Sequence, residues 1–111
     1  MEVIGIMSAG ERYRLVISVE EIRGNCPVFR VGERMVVESP KIVLNRTDNI
    51  CIHALGCILS MLVPLSRGIS FKDLGLAKEG EEGYFQCLDP GAPYTNGGTV
   101  LFKIRREKLN F

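Results

Sequence analysis

Apolar and polar residues alternate along several stretches of the chain, which is typical of β-strands with one buried face. In residues 11–22 four apolar side chains fall on the same face: Tyr13, Leu15, Ile17 and Val19. Residues 99–106 repeat this alternation. The same reasoning predicts strands at residues 34–38 and 84–88, with a short extended piece at residues 28–31.

The stretch from residue 50 to residue 65 is apolar at helical spacing and predicts one long α-helix. Thr47, Asp48 and Asn49 precede it, and each is a favoured N-cap residue. Pro64 and Gly68 mark its end. Because apolar residues cover most of its surface, we expect the helix to be buried on most sides, by the sheet or by another subunit.

The order of the elements, strand–strand–helix–strand–strand, predicts an α+β domain. Its mainly antiparallel sheet would carry one long buried helix. The short strands also leave open a sheet that curls into a partly closed barrel. The chain has 111 residues, of which 46% are hydrophobic and 24% charged. This composition is that of an ordinary globular protein, and we expect a single domain over residues 1–111.

The balance of charges excludes some partners. The formal net charge is +1, from 14 Lys and Arg against 13 Asp and Glu, so no global field recruits nucleic acid and no such partner is expected. The apolar run is shorter than the ~20 residues that span a bilayer, so no membrane partner is expected either. The first ten residues lack the features of a secretory signal, which predicts a cytoplasmic protein with reduced cysteines.

Three of the four cysteines and the single histidine are the main candidates for chemistry. Cys26 precedes a proline in a predicted loop, Cys51 and His53 begin the predicted helix, and Cys87 lies near a strand end. Three thiolates and one imidazole suit tetrahedral zinc. In the first turn of a helix, Cys51 would also lie where the helix dipole stabilises a thiolate. The alternative is core packing, since free cysteine is often buried and Cys87 shares a predicted strand face with Phe85.

The segment between residues 89 and 99 is rich in glycine and in turn-forming residues. Glycines let backbone amides approach a ligand, which makes four residues candidates for ligand binding: Tyr94, Thr95, Gly97 and Gly98. The alternative is a structured connection between two strands. No lysine follows in the pattern of a P-loop, so a nucleotide-phosphate cradle is not expected.

Four short motifs carry a resemblance that extends over about residues 12–106. They begin at Cys26 (CPVFRVG), Cys51 (CIHAL), Cys87 (CLDPG) and Gly97 (GGTVLFKIR). In their order and composition they resemble a family of short prokaryotic proteins with no established activity. The resemblance implies a stand-alone, cytoplasmic, single-domain protein in which Cys26, Cys51 and Cys87 match motif positions. Cys57 lies outside the motifs, and we expect it to be a core residue.

The sequence contains no complete catalytic constellation, and the broad apolar surface of the helix favours association. We therefore expect a non-enzymatic ligand-binding or assembly module that acts as a homo-oligomer, with a small-molecule ligand still to be identified. The second hypothesis is a thiol- or zinc-dependent enzyme that uses Cys26, Cys51, His53 and Cys87. The sequence leaves open whether the protein is an enzyme.

Overall fold

The computed structural model describes residues 11–109, and the expectation for the first ten residues lies outside this range. The described chain forms five strands, one α-helix and a short 3-10 turn at Leu44–Arg46. The strands are β1 (Tyr13–Arg23), β2 (Arg34–Glu38), β3 (Lys41–Ile42), β4 (Glu82–Gln86) and β5 (Thr99–Lys108). The helix, α1, runs over Ile52–Ser66.

The strands form one antiparallel sheet in the order β3-β2-β1-β5-β4. The predicted α+β class and antiparallel sheet are therefore confirmed. The sheet is open over the described residues, so the alternative of a partly closed barrel is wrong. Some bounds also differ from the prediction: β1 begins two residues later, β5 ends two residues later, and β4 begins and ends two residues earlier. The two-residue strand β3, which follows the turn at Ser39 and Pro40, was not predicted.

The core lies between α1 and the face of the sheet defined by Leu15 and Ile17 of β1. The alternation in β1 and β5 produces this face, because every second side chain points towards the helix. Three aromatic rings fill its centre: Phe102 stacks on Phe85 with centroids 4.8 Å apart and meets Phe29 edge-on at 5.3 Å. A register shift between Val19 and Glu21 then bends β1 near its end.

The helix is largely exposed, so the prediction of a buried helix is wrong. One stripe of α1 packs on the sheet, and its buried residues are Ala54, Ile58, Leu62, Leu65 and Ser66. On the opposite side Ile52 is 80% exposed, Leu59 58% and Val63 57%. The physical reason is geometric, since one face of a sheet covers one stripe of a helix. Among the described residues, no helix has the length and apolar character needed to cross a membrane.

The three predicted N-cap residues do not cap α1. The N-cap is Cys51, which makes no side-chain cap hydrogen bond. Thr47 Oγ1 instead accepts the N–H of Val36 at 3.1 Å, and a carboxylate oxygen of Asp48 accepts the N–H of Arg34 at 2.9 Å. These side chains fasten residues 47–48 along the part of β2 that β3 does not pair with. Tertiary hydrogen bonds to a strand edge therefore replace the predicted local capping bonds.

The other edge of the sheet is also engaged. At this edge, the Tyr84 N–H of β4 donates to the carbonyl of Leu76 at 2.8 Å. Leu76 follows a turn in which Phe71 is fully buried. Gly83 allows this packing, because a Cβ there would clash with the Phe71 ring. The segment after α1 thus covers both the core and part of the β4 edge.

Candidate functional site

A cleft of about 430 Å³ opens at the N-terminal end of α1. Three separate parts of the chain form its walls: residues 26–29 after β1, residues 50–54 at the helix start, and residues 87–100 between β4 and β5. Its size lies in the range of small-molecule pockets. The lining residues whose side chains could take part in a reaction or bind a ligand are Cys26, Cys51, His53, Cys87 and Asp89.

The cleft has this shape because two loops pack backbone against backbone. A Cβ at Gly98 would lie 2.7 Å from the carbonyl carbon of Asn25 and 2.9 Å from the nitrogen of Cys26. Only glycine permits so close an approach. Cys87 joins the same contact, since its Sγ lies 3.8 Å from the Gly98 carbonyl and accepts the Val100 N–H at 3.3 Å. The close packing at Gly98 therefore brings Cys26 and Cys87 to the same cleft.

The helix start supplies the third wall. The first N–H groups of an α-helix have no partner within the helix, and the N-cap Cys51 gives them no side-chain acceptor. Cys51 and His53 both line the cleft at this end. Both residues therefore lie at the start of the helix, where the sequence placed them. The predicted start at residue 50 is corrected, because the helix begins at Ile52.

Asp89 organises the loop on the far side of the cleft. Its Oδ1 accepts the N–H of Gly91 at 2.8 Å and the hydroxyl of Thr95, and its carbonyl accepts the hydroxyl of Thr99 at 2.8 Å. The hydrogen bonds from Thr95 and Gly91 lower the pKa of Asp89, and the charge of His53 acts in the same direction. The carboxylate is thus ionised at neutral pH, and it lines the same cleft as His53.

The four thiols lie in different surroundings. Cys26 Sγ accepts the N–H groups of Val28 and Phe29, both at 3.4 Å, and its side chain is partly exposed. Cys87 is buried, which agrees with the alternative of core packing. Cys57 is exposed, so the expectation of a core residue is wrong. Partial desolvation, with the charges of Cys87 and Cys51, raises the pKa of the Cys57 thiol.

The zinc prediction receives no support from the geometry. Within residues 11–109, no three His, Cys, Asp or Glu side chains are arranged so that they could hold a metal ion. Cys26, Cys51, His53 and Cys87 share a cleft, but they come from separate walls and do not converge on one point as zinc ligands do. The three thiols and His53 therefore line one cleft without forming a metal site among the described residues.

The four residues predicted in the 89–99 segment divide into two pairs. Gly97 and Gly98 line the cleft, whereas Tyr94 and Thr95 do not. Tyr94 is 79% exposed, and the hydroxyl of Thr95 is used within the loop by Asp89. The sequence reasoning missed Asp89 itself. Its position ahead of a proline and a glycine is typical of a turn residue, and this masked its place in the wall of the cleft.

The fold and cleft define a small α+β protein with one thiol-lined cavity at the start of its helix. Comparison of the chain with protein-family models, with curated proteins and with solved structures gives no match.

Proposed function

We propose that the protein is a small-molecule-binding module and that the cleft at the start of α1 is its binding site. The observation that carries this proposal is the convergence of three distant chain segments on one cavity of about 430 Å³. Ligand pockets are mostly apolar with a few placed polar groups. Val28 and Ile50 provide apolar wall here, and His53 and Asp89 provide polar groups.

The contacts within the cleft favour a preformed site. The 25–26 backbone rests on Gly98, and Asp89 fixes its own loop through three hydrogen bonds. Asn49 adds a tie from the helix side, since its Nδ2 donates to the Val28 carbonyl at 3.1 Å. A preformed site pays little ordering entropy on binding.

The test is a ligand screen with a variant that fills the cleft. Fragments of low molecular weight are screened against the full chain by saturation-transfer NMR, and the hits are repeated on Val28→Trp. The matched control is Val31→Trp, because Val31 lies in the same connection but is 64% exposed and does not line the cleft. We expect hits that Val28→Trp weakens about tenfold or more, equal to about 1.4 kcal/mol, and that Val31→Trp leaves unchanged. Hits indifferent to both variants, or no hits, would overturn the proposal.

A second candidate function is self-assembly, and the exposed face of α1 favours it. Ile52, Leu59 and Val63 are spaced by seven and four residues, which is the spacing of a helix seam that packs on another helix. Gly56 lies between them, and nothing described lies within 4 Å of a Cβ built there, so a second helix could approach closely.

The absence of Asp, Glu, Lys and Arg from α1 points to a second copy of this chain as the partner that packs on its exposed face. A two-fold contact places a patch against itself, so like charges on the patch would repel. Helix α1 contains no Asp, Glu, Lys or Arg, while the chain as a whole has 27 such residues, from 14 basic and 13 acidic. The seam therefore meets its own copy without charge repulsion.

Sedimentation equilibrium at micromolar concentration tests this assembly. We expect a dimer for the native chain and a monomer for Leu59→Glu. Leu44→Glu is the matched control, because Leu44 is 72% exposed and lies outside α1. A native chain that sediments only as a monomer would contradict the proposal, as would a dimer that Leu59→Glu leaves intact.

A further inference from the structure

Cys26 differs from the other thiols in what its sulfur contacts. Two consecutive backbone N–H groups, from Val28 and Phe29, donate to Cys26 Sγ at 3.4 Å. The turn therefore presents two donors to one sulfur, an arrangement that matches an anion. Cys26 is partly exposed and lines the cleft, so an incoming molecule can reach the sulfur.

We infer that the cleft takes a low-molecular-weight disulfide and that Cys26 is the thiol that attacks it. This inference rests on the proposed binding function and names the chemical class of its ligand. The cleft volume of about 430 Å³ has room for a small disulfide beside the sulfur.

The reaction is thiol–disulfide exchange, and its atoms and electrons balance. The Cys26 thiol gives its proton to water, and the sulfur attacks one sulfur of the bound disulfide RS–SR. The S–S bond of the ligand breaks as the bond between Cys26 Sγ and one SR group forms. The other half leaves as RS⁻ and takes up a proton. Cys26 is oxidised to a mixed disulfide, and half of the ligand is reduced to RSH.

The remaining cysteines are less suited to the attack. Cys87 is only 7% exposed, and its sulfur contacts the Gly98 carbonyl and the Val100 N–H. Cys51 lines the cleft but makes no side-chain hydrogen bond with the helix N–H groups. Cys57 is exposed but lies outside the cleft lining, and its raised pKa leaves less thiolate at neutral pH.

The comparison between Cys26 and Cys57 gives the sharpest test. Exposure alone predicts that Cys57 reacts first, whereas the N–H donors and the cleft predict that Cys26 reacts first. The reduced full chain is treated at pH 7 with 2-hydroxyethyl disulfide, and peptide mass spectrometry gives the rate of adduct formation at each cysteine. We expect Cys26 to react about tenfold faster than Cys57. A faster reaction at Cys57, or rates that follow exposure, would overturn the inference.

Serine variants and unfolding serve as controls. Cys26→Ser should remove most of the fast reaction, and Cys57→Ser should leave it unchanged. Cys26 and Cys57 should react at similar rates in guanidinium chloride, because unfolding removes the two N–H donors. A preference for Cys26 that persists in the unfolded chain would show that local sequence causes it, and would overturn the role of the cleft. This arm keeps Cys26 in place, so it does not depend on the folding of a variant.

The concentration dependence separates this inference from the proposed function. A Cys26 rate that saturates with disulfide concentration supports both, because saturation reports a bound complex before the exchange. A fast Cys26 rate that rises linearly supports the assignment of the thiol and counts against the cleft as a binding site. Fragment hits that depend on Val28, together with no preference for Cys26, would contradict the inference of a disulfide ligand. The proposed small-molecule-binding function would still be supported.

Discussion

At the C-terminal end of α1, the Arg106 guanidinium donates from Nη1 to the carbonyls of Leu65 at 3.2 Å and Ile69 at 2.6 Å. At the N-terminal end, the N-cap residue Cys51 offers no side-chain hydrogen bond. The carbonyls that end a helix lack partners within it, as do the N–H groups that begin it. A distant strand residue thus satisfies carbonyls at one end, whereas residues 50–54 at the other end line the cleft.

The C-terminal end is also the better packed of the two. The Arg106 guanidinium carbon lies 4.4 Å from the centroid of the Phe71 ring and 5.2 Å from that of Tyr13. The side chain is only 6% exposed, and Nη2 pairs with Glu81 at 3.1 Å. This difference teaches that Arg106 anchors the C-terminal end of α1, whereas the N-terminal end forms one wall of the proposed binding site.

Loss of the anchor should have the largest effect. Arg106→Met keeps an apolar stem but removes the donors to two carbonyls, and we expect a loss of about 2–3 kcal/mol in the free energy of unfolding. Arg105→Met is the control, since its side chain is 45% exposed and such positions cost about 0.5 kcal/mol. Urea unfolding followed by circular dichroism measures both. Equal losses would show that Arg106 does not anchor the helix.

The loop contact at the cleft end should be next in size. Gly98→Ala places a Cβ against the Asn25 carbonyl group and the Cys26 nitrogen, and such overpacking costs about 1–3 kcal/mol. Gly56→Ala is the matched control, because its Cβ meets open space within a helix. Alanine there should raise stability by about 1 kcal/mol. Differential scanning calorimetry of both variants decides, and a harmless Gly98→Ala would contradict the packing described.

A smaller change would give the N-terminal end the cap that it lacks. Serine is a favoured N-cap residue, so Cys51→Ser should stabilise the protein by about 0.5–1 kcal/mol. Cys57→Ser, a change of the same kind at an exposed position of α1, should stay within about 0.5 kcal/mol. Chemical denaturation curves of the two variants provide the measurement. Destabilisation by Cys51→Ser would mean that packing of the thiol outweighs capping.

The smallest expected effect concerns acid. The folded-state pKa of Asp89 is lowered by Thr95 and Gly91, so its stabilisation is present above the unfolded pKa of about 3.9 and is lost as pH falls through the folded value. As the pH falls below about 5, the Asp89→Asn variant should therefore lose less stability than the native chain does. Unfolding midpoints at several pH values test this, and parallel curves for the two proteins would rule it out.

The sequence predicted the sheet better than the helix. The bounds of β2 were predicted correctly because local turn residues at Gly32 and Pro40 flank it. Strand β3 was missed because its two residues are too few to show an alternation of apolar and polar side chains. The burial of α1 was overestimated, because apolar composition cannot tell a core helix from one that leaves an apolar face exposed. Thr47 and Asp48 were predicted as caps because of their residue types and their place before the helix. Their actual hydrogen bonds to β2 depend on tertiary structure, which the sequence does not show.

The candidate site was predicted in its residues but not in its arrangement. The sequence analysis singled out Cys26, Cys51 and Cys87, and all three line the cleft. Periodicity could not bring them together, because their convergence depends on the packing at Gly98. Asp89 was recognisable in the sequence as a turn residue but not as a residue of the site. Its place in the same cleft as His53 depends on the position of α1.

The covered backbone groups on β2 and β4 have a consequence for solubility. Unpaired backbone groups on an edge strand are a template on which other chains can polymerise. Here the N–H groups of Arg34 and Val36 already bind side chains, and that of Tyr84 binds the Leu76 carbonyl. Strand addition, the route to fibres, is therefore blocked at these positions of β2 and β4.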